Sequence, residues 1–207
     1  MTGRHGSEGT VAAMESVLLT TSDGHELAAD VAIPESDPVA AAVVCHPHPQ
    51  HGGNRFNPVV DAVFRHLPTL GIMALRFDFR AAFDGGIGEQ QDVVAAIDEI
   101  RHRTDAPIVV VGYSDGAAVA LNTADEHIAA QVAIAPPLTM MEVSAPSART
   151  LVLMPRHDQF TEVDDAERIV ATWPLADLEL VESTDHFLTG RTTHVAEAAG
   201  DWLLARN

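Results

Sequence analysis

The chain has 207 residues, 46% of them hydrophobic and only 5% aromatic, with a single cysteine; this is enough for one domain with a large core, and Cys45 alone excludes an internal disulfide. Thirty acidic residues stand against twelve basic ones, all arginine, for a formal charge of −18, which argues against nucleic acid and anionic membranes as partners. No apolar run reaches the length of a bilayer span, and the polar, glycine-rich start (Met1 to Gly9) lacks the apolar stretch of a signal peptide. A cytoplasmic protein is expected, with residues 1–14 as a flexible tail and 15–207 as one domain.

In chain order, Ser16 to Thr21 and Glu26 to Ile33 read as two strands joined by a turn at Asp23-Gly24. Val39 to Cys45 is a continuous apolar run, as a strand buried on both faces requires. His46 to Asn54 is too rich in Pro and Gly for regular structure. Pro58 to Leu70 carries apolar residues at helical spacing with a break near Pro68, and Ile72 to Phe79 is another strand. After a loop at Asp84 to Gly88, Glu89 to Arg103 is an amphipathic helix. Ile108 to Val111 is a short buried strand leading into a helix from Gly116 to about Ala124. Strands at Gln131 to Ala135, Thr150 to Met154 and Asp177 to Val181 follow, with helices from about Asp164 to Trp173 and Thr192 to Leu204. Alternation of strands and helices from Val39 onward predicts right-handed βαβ crossovers and a mostly parallel sheet covered on both faces.

The organising stretch is Ile108 to Ala118, read as strand, tight turn, helix. Gly112-Tyr113-Ser114-Asp115-Gly116 has the spacing that lifts a serine out on a strained turn, with glycines where strand and helix must close together. A serine hydroxyl is a weak nucleophile at neutral pH, so Ser114 needs a base, and the base an orienting carboxylate. The carboxyl ends of parallel strands gather along one edge. Asp158 follows the strand ending at Met154 and His186 the strand ending at Val181, so both can converge on Ser114. His157 and His194 are rivals for the base, and Asp164, Asp165 and Asp185 for the acid; Asp164 and Asp165 are explained by a helix start.

Two N–H donors are also needed for an oxyanion: the backbone of Asp115 after the nucleophile, and one from the loop after Cys45, where His48 is the candidate because Pro47 and Pro49 have no N–H. His46, His48 and His51 do not make a convincing metal set, since two prolines stiffen the segment and no fourth ligand is fixed. No metal or organic cofactor is expected. The glycines around Gly85 lack the lysine and spacing of a phosphate loop. Arg76 and Arg80 lie near the same edge, as ion-pair partners or as contacts for an anionic substrate.

Together these motifs resemble the α/β-hydrolase superfamily over nearly the whole chain after about Glu15, and within it a small lidless branch with a His-Pro-His-Pro loop. The resemblance rests on His46-Pro47-His48-Pro49 with Gly52-Gly53, Leu75 to Arg80, Gly86-Ile87-Gly88-Glu89, the Ser114 turn, and Asp185-His186-Phe187. It implies an α/β-hydrolase fold of about eight strands with an antiparallel N-terminal strand, helices on both faces and no cap domain. It also implies Ser114 as nucleophile, Asp158 as acid, His186 as base, and His48 with Asp115 as oxyanion donors. Two features depart from the pattern: the loop Arg80 to Asp84 is short, and Pro155 stands where a glycine often precedes the acid.

Pro136 to Arg149 is too short for a helical lid, so the expected site is small and open. The expected function is a serine esterase acting on short or water-soluble carboxylic esters through an acyl-enzyme. Alternatives are a thioesterase or peptidase with the same triad, or a non-catalytic small-molecule-binding protein. The expected partner is a small ester-like substrate, with a homodimer as a possible assembly.

Overall fold

Eight strands form one sheet in the order β1-β2-β4-β3-β5-β6-β7-β8 in the computed structural model, which describes residues 11–205. The strands are β1 (Val11–Thr20), β2 (Glu26–Pro34), β3 (Ala40–Cys45), β4 (Ile72–Phe77), β5 (Ile108–Tyr113), β6 (Ile128–Ile134), β7 (Arg149–His157) and β8 (Ala176–Asp185). β2 pairs antiparallel with both β1 and β4, and every later pairing is parallel. The sheet is therefore mostly parallel with one antiparallel strand near the N-terminus.

The reason is legible in composition. Every residue of β3, β4 and β5 is buried, which only a strand covered on both faces permits. Helices α1 (Pro58–His66) and α5 (Thr192–Leu204) cover one face; α2 (Ile87–Arg101), α3 (Asp115–Asn122) and α4 (Val163–Val170) cover the other. Alternate residues of a single strand feed the two cores: Ala42 and Val44 of β3 pack with Val63 and Phe64 of α1, while Ala41 and Val43 pack with Val93 and Ile97 of α2.

Several boundaries differ from the sequence expectation. β1 starts at Val11, so residues 11–14, expected in the tail, are part of a strand whose partners in β2 begin at Pro34; residues 1–10 lie outside the described residues. β4 stops at Phe77 rather than Phe79, because Asp78, Phe79 and Arg80 turn into side-chain hydrogen bonds. α1 ends at His66 and the chain continues as a single 3₁₀ turn, Leu67–Leu70, since Pro68 lacks the N–H that the α-helix would use. A second 3₁₀ turn, Pro49–His51, occupies the segment expected to be irregular, opened by the His48 ring accepting the Gln50 N–H at 3.2 Å.

The largest differences are at β7 and β8, which run three or four residues beyond the apolar stretches that announced them. Their polar extensions pair with each other, His157 opposite Asp185 after a register shift. Asp158 and His186 are the next residues on each strand, so this pairing brings them side by side. The chain also leaves β3 for β4 on one side and returns to β5 on the other. That reversal opens a crevice beyond the carboxyl ends of β3 and β5, where ligands of open α/β sheets sit.

Candidate active site

Ser114 follows β5 directly, with φ 55° and ψ −124°, a conformation that a non-glycine residue adopts only when its surroundings impose it. They do so here through two glycines. A Cβ on Gly112 would lie 2.3 Å from the Gly116 carbonyl oxygen, and one on Gly116 would lie 2.3 Å from the His46 carbonyl oxygen. The turn is thus clamped between the first turn of α3 and the end of β3. The Ser114 N–H is tied to the Ile134 carbonyl at 2.9 Å, and the side chain projects into a cavity of about 680 Å³.

Three predicted residues meet on that side chain. Ser114 Oγ is 2.9 Å from His186 Nε2, and His186 Nδ1 is 2.7 Å from Asp158 Oδ2. Asp158 Oδ1 accepts the N–H groups of Phe160 and Thr161 at 2.8 and 3.0 Å, so both carboxylate oxygens are engaged and the acid is fixed. With Nδ1 donating to Asp158, Nε2 is left as an acceptor facing the Ser114 hydroxyl. All three side chains are buried. Pro155 does not disturb this arrangement: it pairs with Val181 within the sheet, and its carbonyl accepts the Asp158 N–H at 3.3 Å.

The rivals are elsewhere. Asp185 accepts from Gln159 and from the Phe187 N–H, Asp164 and Asp165 lie in the first turn of α4, and His194 is in α5. The amide N–H groups of His48 and Asp115 make no hydrogen bond to another protein group among the described residues, and both residues line the cavity with Ser114.

His46, His48, His51, Arg76 and Arg80, the other residues of interest in the sequence, have structural partners. His46 is buried, its Nδ1 2.5 Å from the Pro47 carbonyl and its Nε2 accepting the Phe79 N–H at 2.9 Å; burial pushes its pKa down. It ties the loop after β3 to the loop after β4. His48 and His51 stack on each other, and among the described residues no set of three His, Cys, Asp or Glu side chains is arranged for a metal ion. Arg76 bonds Asp30 and Asp61, and Arg80 bonds Asp92 and Asp23. Neither arginine is among the residues lining the cavity with Ser114, and both are engaged in ion pairs.

Two contacts escaped sequence reasoning, and a third, that of Asp115, turns on whether its side chain faces inward. The Tyr113 hydroxyl donates to the His186 carbonyl at 2.9 Å; burial pushes that phenol up to about 12, so it stays a donor. Gln159 Oε1 accepts the His186 N–H at 3.1 Å. Asp115 turns its carboxylate toward the nucleophile, with Oδ2 3.3 Å from Ser114 Oγ. The first and third sit inside the motif that was singled out, so position could have flagged them. Gln159 carries no such signal.

No family model matches the chain. An uncharacterized protein of Rickettsia prowazekii is 26% identical over 185 residues, covering 79% of this chain and 78% of its own. Among solved structures, a lidless α/β serine hydrolase from Xanthomonas campestris is 28% identical with a TM-score of 0.82, covering 93% of this chain and 95% of that one. An α/β serine hydrolase homologue from Coxiella burnetii is 25% identical with a TM-score of 0.83, covering 91% and 97%. Between β6 and β7, where a lid would be inserted, the described residues contain neither helix nor strand. The chain has the α/β-hydrolase fold without a lid, and its likeness to serine hydrolases of that fold supports a place in the superfamily and a hydrolase activity.

Proposed function

We propose that this protein is a serine hydrolase of short or water-soluble carboxylic esters. Ser114 Oγ attacks the ester carbonyl as its proton passes to His186 Nε2, while Asp158 holds the ring in the required tautomer and offsets the positive charge that forms on it. The tetrahedral oxyanion takes the N–H groups of Asp115 and His48, at the positive end of α3. The imidazolium returns its proton to the departing alcohol oxygen, leaving an acyl-enzyme. Water then attacks with its proton on Nε2, and collapse of the second intermediate releases the acid and restores the serine. The sum is ester plus water to acid plus alcohol.

The observation that carries this reading is the unbroken line from Asp158 through His186 to Ser114 at 2.7 and 2.9 Å, ending on a strained serine at a cavity. An open rim with no lid favours substrates that remain soluble over long-chain lipids. The test is labelling of the pure protein with a fluorophosphonate probe, followed by peptide mass spectrometry. The expected adduct is on Ser114, absent from Ser114→Ala and strongly slowed in His186→Ala, with butyryl esters turned over faster than palmitoyl esters. A folded protein that takes no label and hydrolyses no ester would leave the non-catalytic binding reading in its place.

A further inference from the structure

From the side chains around the nucleophile we infer that the site selects esters carrying a cationic ammonium group, and that Asp115 is the residue that selects them. The inference rests on the hydrolase reading above and names the substrate class of that same site. The Ser114 hydroxyl has two acceptors, His186 Nε2 at 2.9 Å and Asp115 Oδ2 at 3.3 Å. Within this site only attack toward His186 generates a leaving-group proton, and the oxyanion that follows is held by the backbone of the residue whose side chain is negative. A neutral ester therefore develops its negative charge beside a fixed carboxylate, at a half-buried position where the repulsion is only partly screened. An ammonium carried on the substrate and seated beside Asp115 cancels that repulsion, and does so most strongly when the oxyanion is fully formed. Such an interaction, larger in the transition state than in the ground state, raises turnover as well as binding.

Three independent features point the same way. No lysine exists in the chain, and no arginine is among the residues lining the cavity. The arginines nearest the β4 edge are already matched to carboxylates: Arg55 to Asp30 and Asp78, Arg76 to Asp30 and Asp61, Arg80 to Asp92 and Asp23. The wall also contains Phe83, Tyr113, Phe160 and Phe187, rings whose faces attract ammonium groups, and the exposed Glu142 adds a second acidic residue to it. Finally, the charge of −18 concentrates cations around the whole molecule and drives anions away. An anionic ester meets all of these with the wrong sign.

The ammonium could be carried on the acyl or on the alcohol side, and two matched pairs distinguish them. On the alcohol side butyrylcholine is compared with 3,3-dimethylbutyl butyrate, its uncharged carbon isostere. On the acyl side ethyl 4-(trimethylammonio)butanoate is compared with ethyl 5,5-dimethylhexanoate. In at least one pair, the cationic ester is expected to have a kcat/KM about tenfold or more above its isostere at low salt. Molar salt and Asp115→Asn should each shrink that ratio to about threefold or less, the ratio within a pair being read so that any change in turnover common to both members cancels. Glu142→Gln, at an exposed position, should lower it less. Equal rates within both pairs, or a ratio unmoved by salt and by Asp115→Asn, would overturn the inference while neutral-ester turnover and Ser114 labelling left the hydrolase reading intact. If Asp115→Asn does not fold, the salt dependence and Glu142→Gln decide. Failure of all four esters together with failure to label would defeat the hydrolase reading, and this inference with it.

Discussion

Two sets of buried polar side chains differ in one respect. At the β2–β4 edge, Arg76 and Arg80 each meet two carboxylates, and Asp92 accepts from the side chain of Arg80 and from its backbone N–H at 2.9 Å. Every strong donor and acceptor there has a partner inside the protein. At the ends of β5, β7 and β8, the chain of bonds from Asp158 to His186 stops on Ser114, whose oxygen faces a cavity. Both networks are marked in the sequence by charged residues beside apolar strands. Saturation separates them: a network closed on itself holds loops in place, whereas one with an open end can act on something else.

The largest effect expected from breaking this contrast is at the open network. Asp158→Asn keeps the shape but lets the amide donate toward His186, favouring the tautomer with its proton on Nε2, where it cannot accept from Ser114. By analogy with triads in which this exchange has been made, kcat should fall by about 10⁴-fold, with little change in thermal stability. A fall of less than about tenfold in steady-state kinetics would remove Asp158 from the proposed mechanism.

The closed network should respond in stability instead. Burial pushes the Asp92 carboxyl up while its bonds to Arg80 hold the guanidinium firmly protonated. These pull in opposite senses, and we read the pair as ionised because both Asp92 oxygens accept N–H groups of Arg80. Asp92→Asn leaves the Arg80 guanidinium, itself 6% exposed, with Asp23 as its one remaining carboxylate. Breaking a buried pair from one side costs about 3–5 kcal/mol, and the loss should appear in the denaturant midpoint. The rate per folded molecule should change far less than in Asp158→Asn. A variant of normal stability and reduced kcat would mean that this network is part of the chemistry after all.

How much of this was legible beforehand follows from which forces write themselves into sequence. The buried strands β3 and β5 were clear because a strand covered on both faces must be apolar throughout. The turn at Ser114 was clear because Gly112 and Gly116 are required by backbone packed within van der Waals distance of their α-carbons. The ends of β7 and β8 were not, since Arg156, His157, Glu182 and Asp185 are polar residues whose strand conformation comes from pairing across the sheet. The role of His46 was hidden for a related reason, being decided by a partner distant in sequence, while an inward-facing Asp115 carboxylate was an open alternative that only the rotamer decides. His46 in a Pro-rich loop has no visible partner until the Phe79 N–H, thirty-three residues on, is found on its ring.

That ring supplies the smallest of the expected effects. His46 is buried and neutral, with Nδ1 toward the Pro47 carbonyl and Nε2 occupied by the Phe79 N–H, and burial holds its pKa below the ordinary value of 6.5. The unfolded chain therefore binds more protons than the folded one as pH falls through 6.5, and stability must decline with it. The contribution of His46 is fully present above that value and is lost on the way down to the folded pKa. Asp30 and Asp61 act in a separate window. Burial alone would raise their carboxyls, but bonds from Ser16, Arg76 and Arg55 to Asp30, and from Arg65 and Arg76 to Asp61, hold both below 3.8, so their stabilisation fades only under stronger acid. Melting curves between pH 7.5 and 5 should thus show a decline in the native protein that His46→Gln flattens, from a starting point lowered by about 1 kcal/mol for the weakened hydrogen bonds. Parallel slopes in the two proteins would move the acid-sensitive group elsewhere and reduce His46 to a packing residue between the loops after β3 and β4.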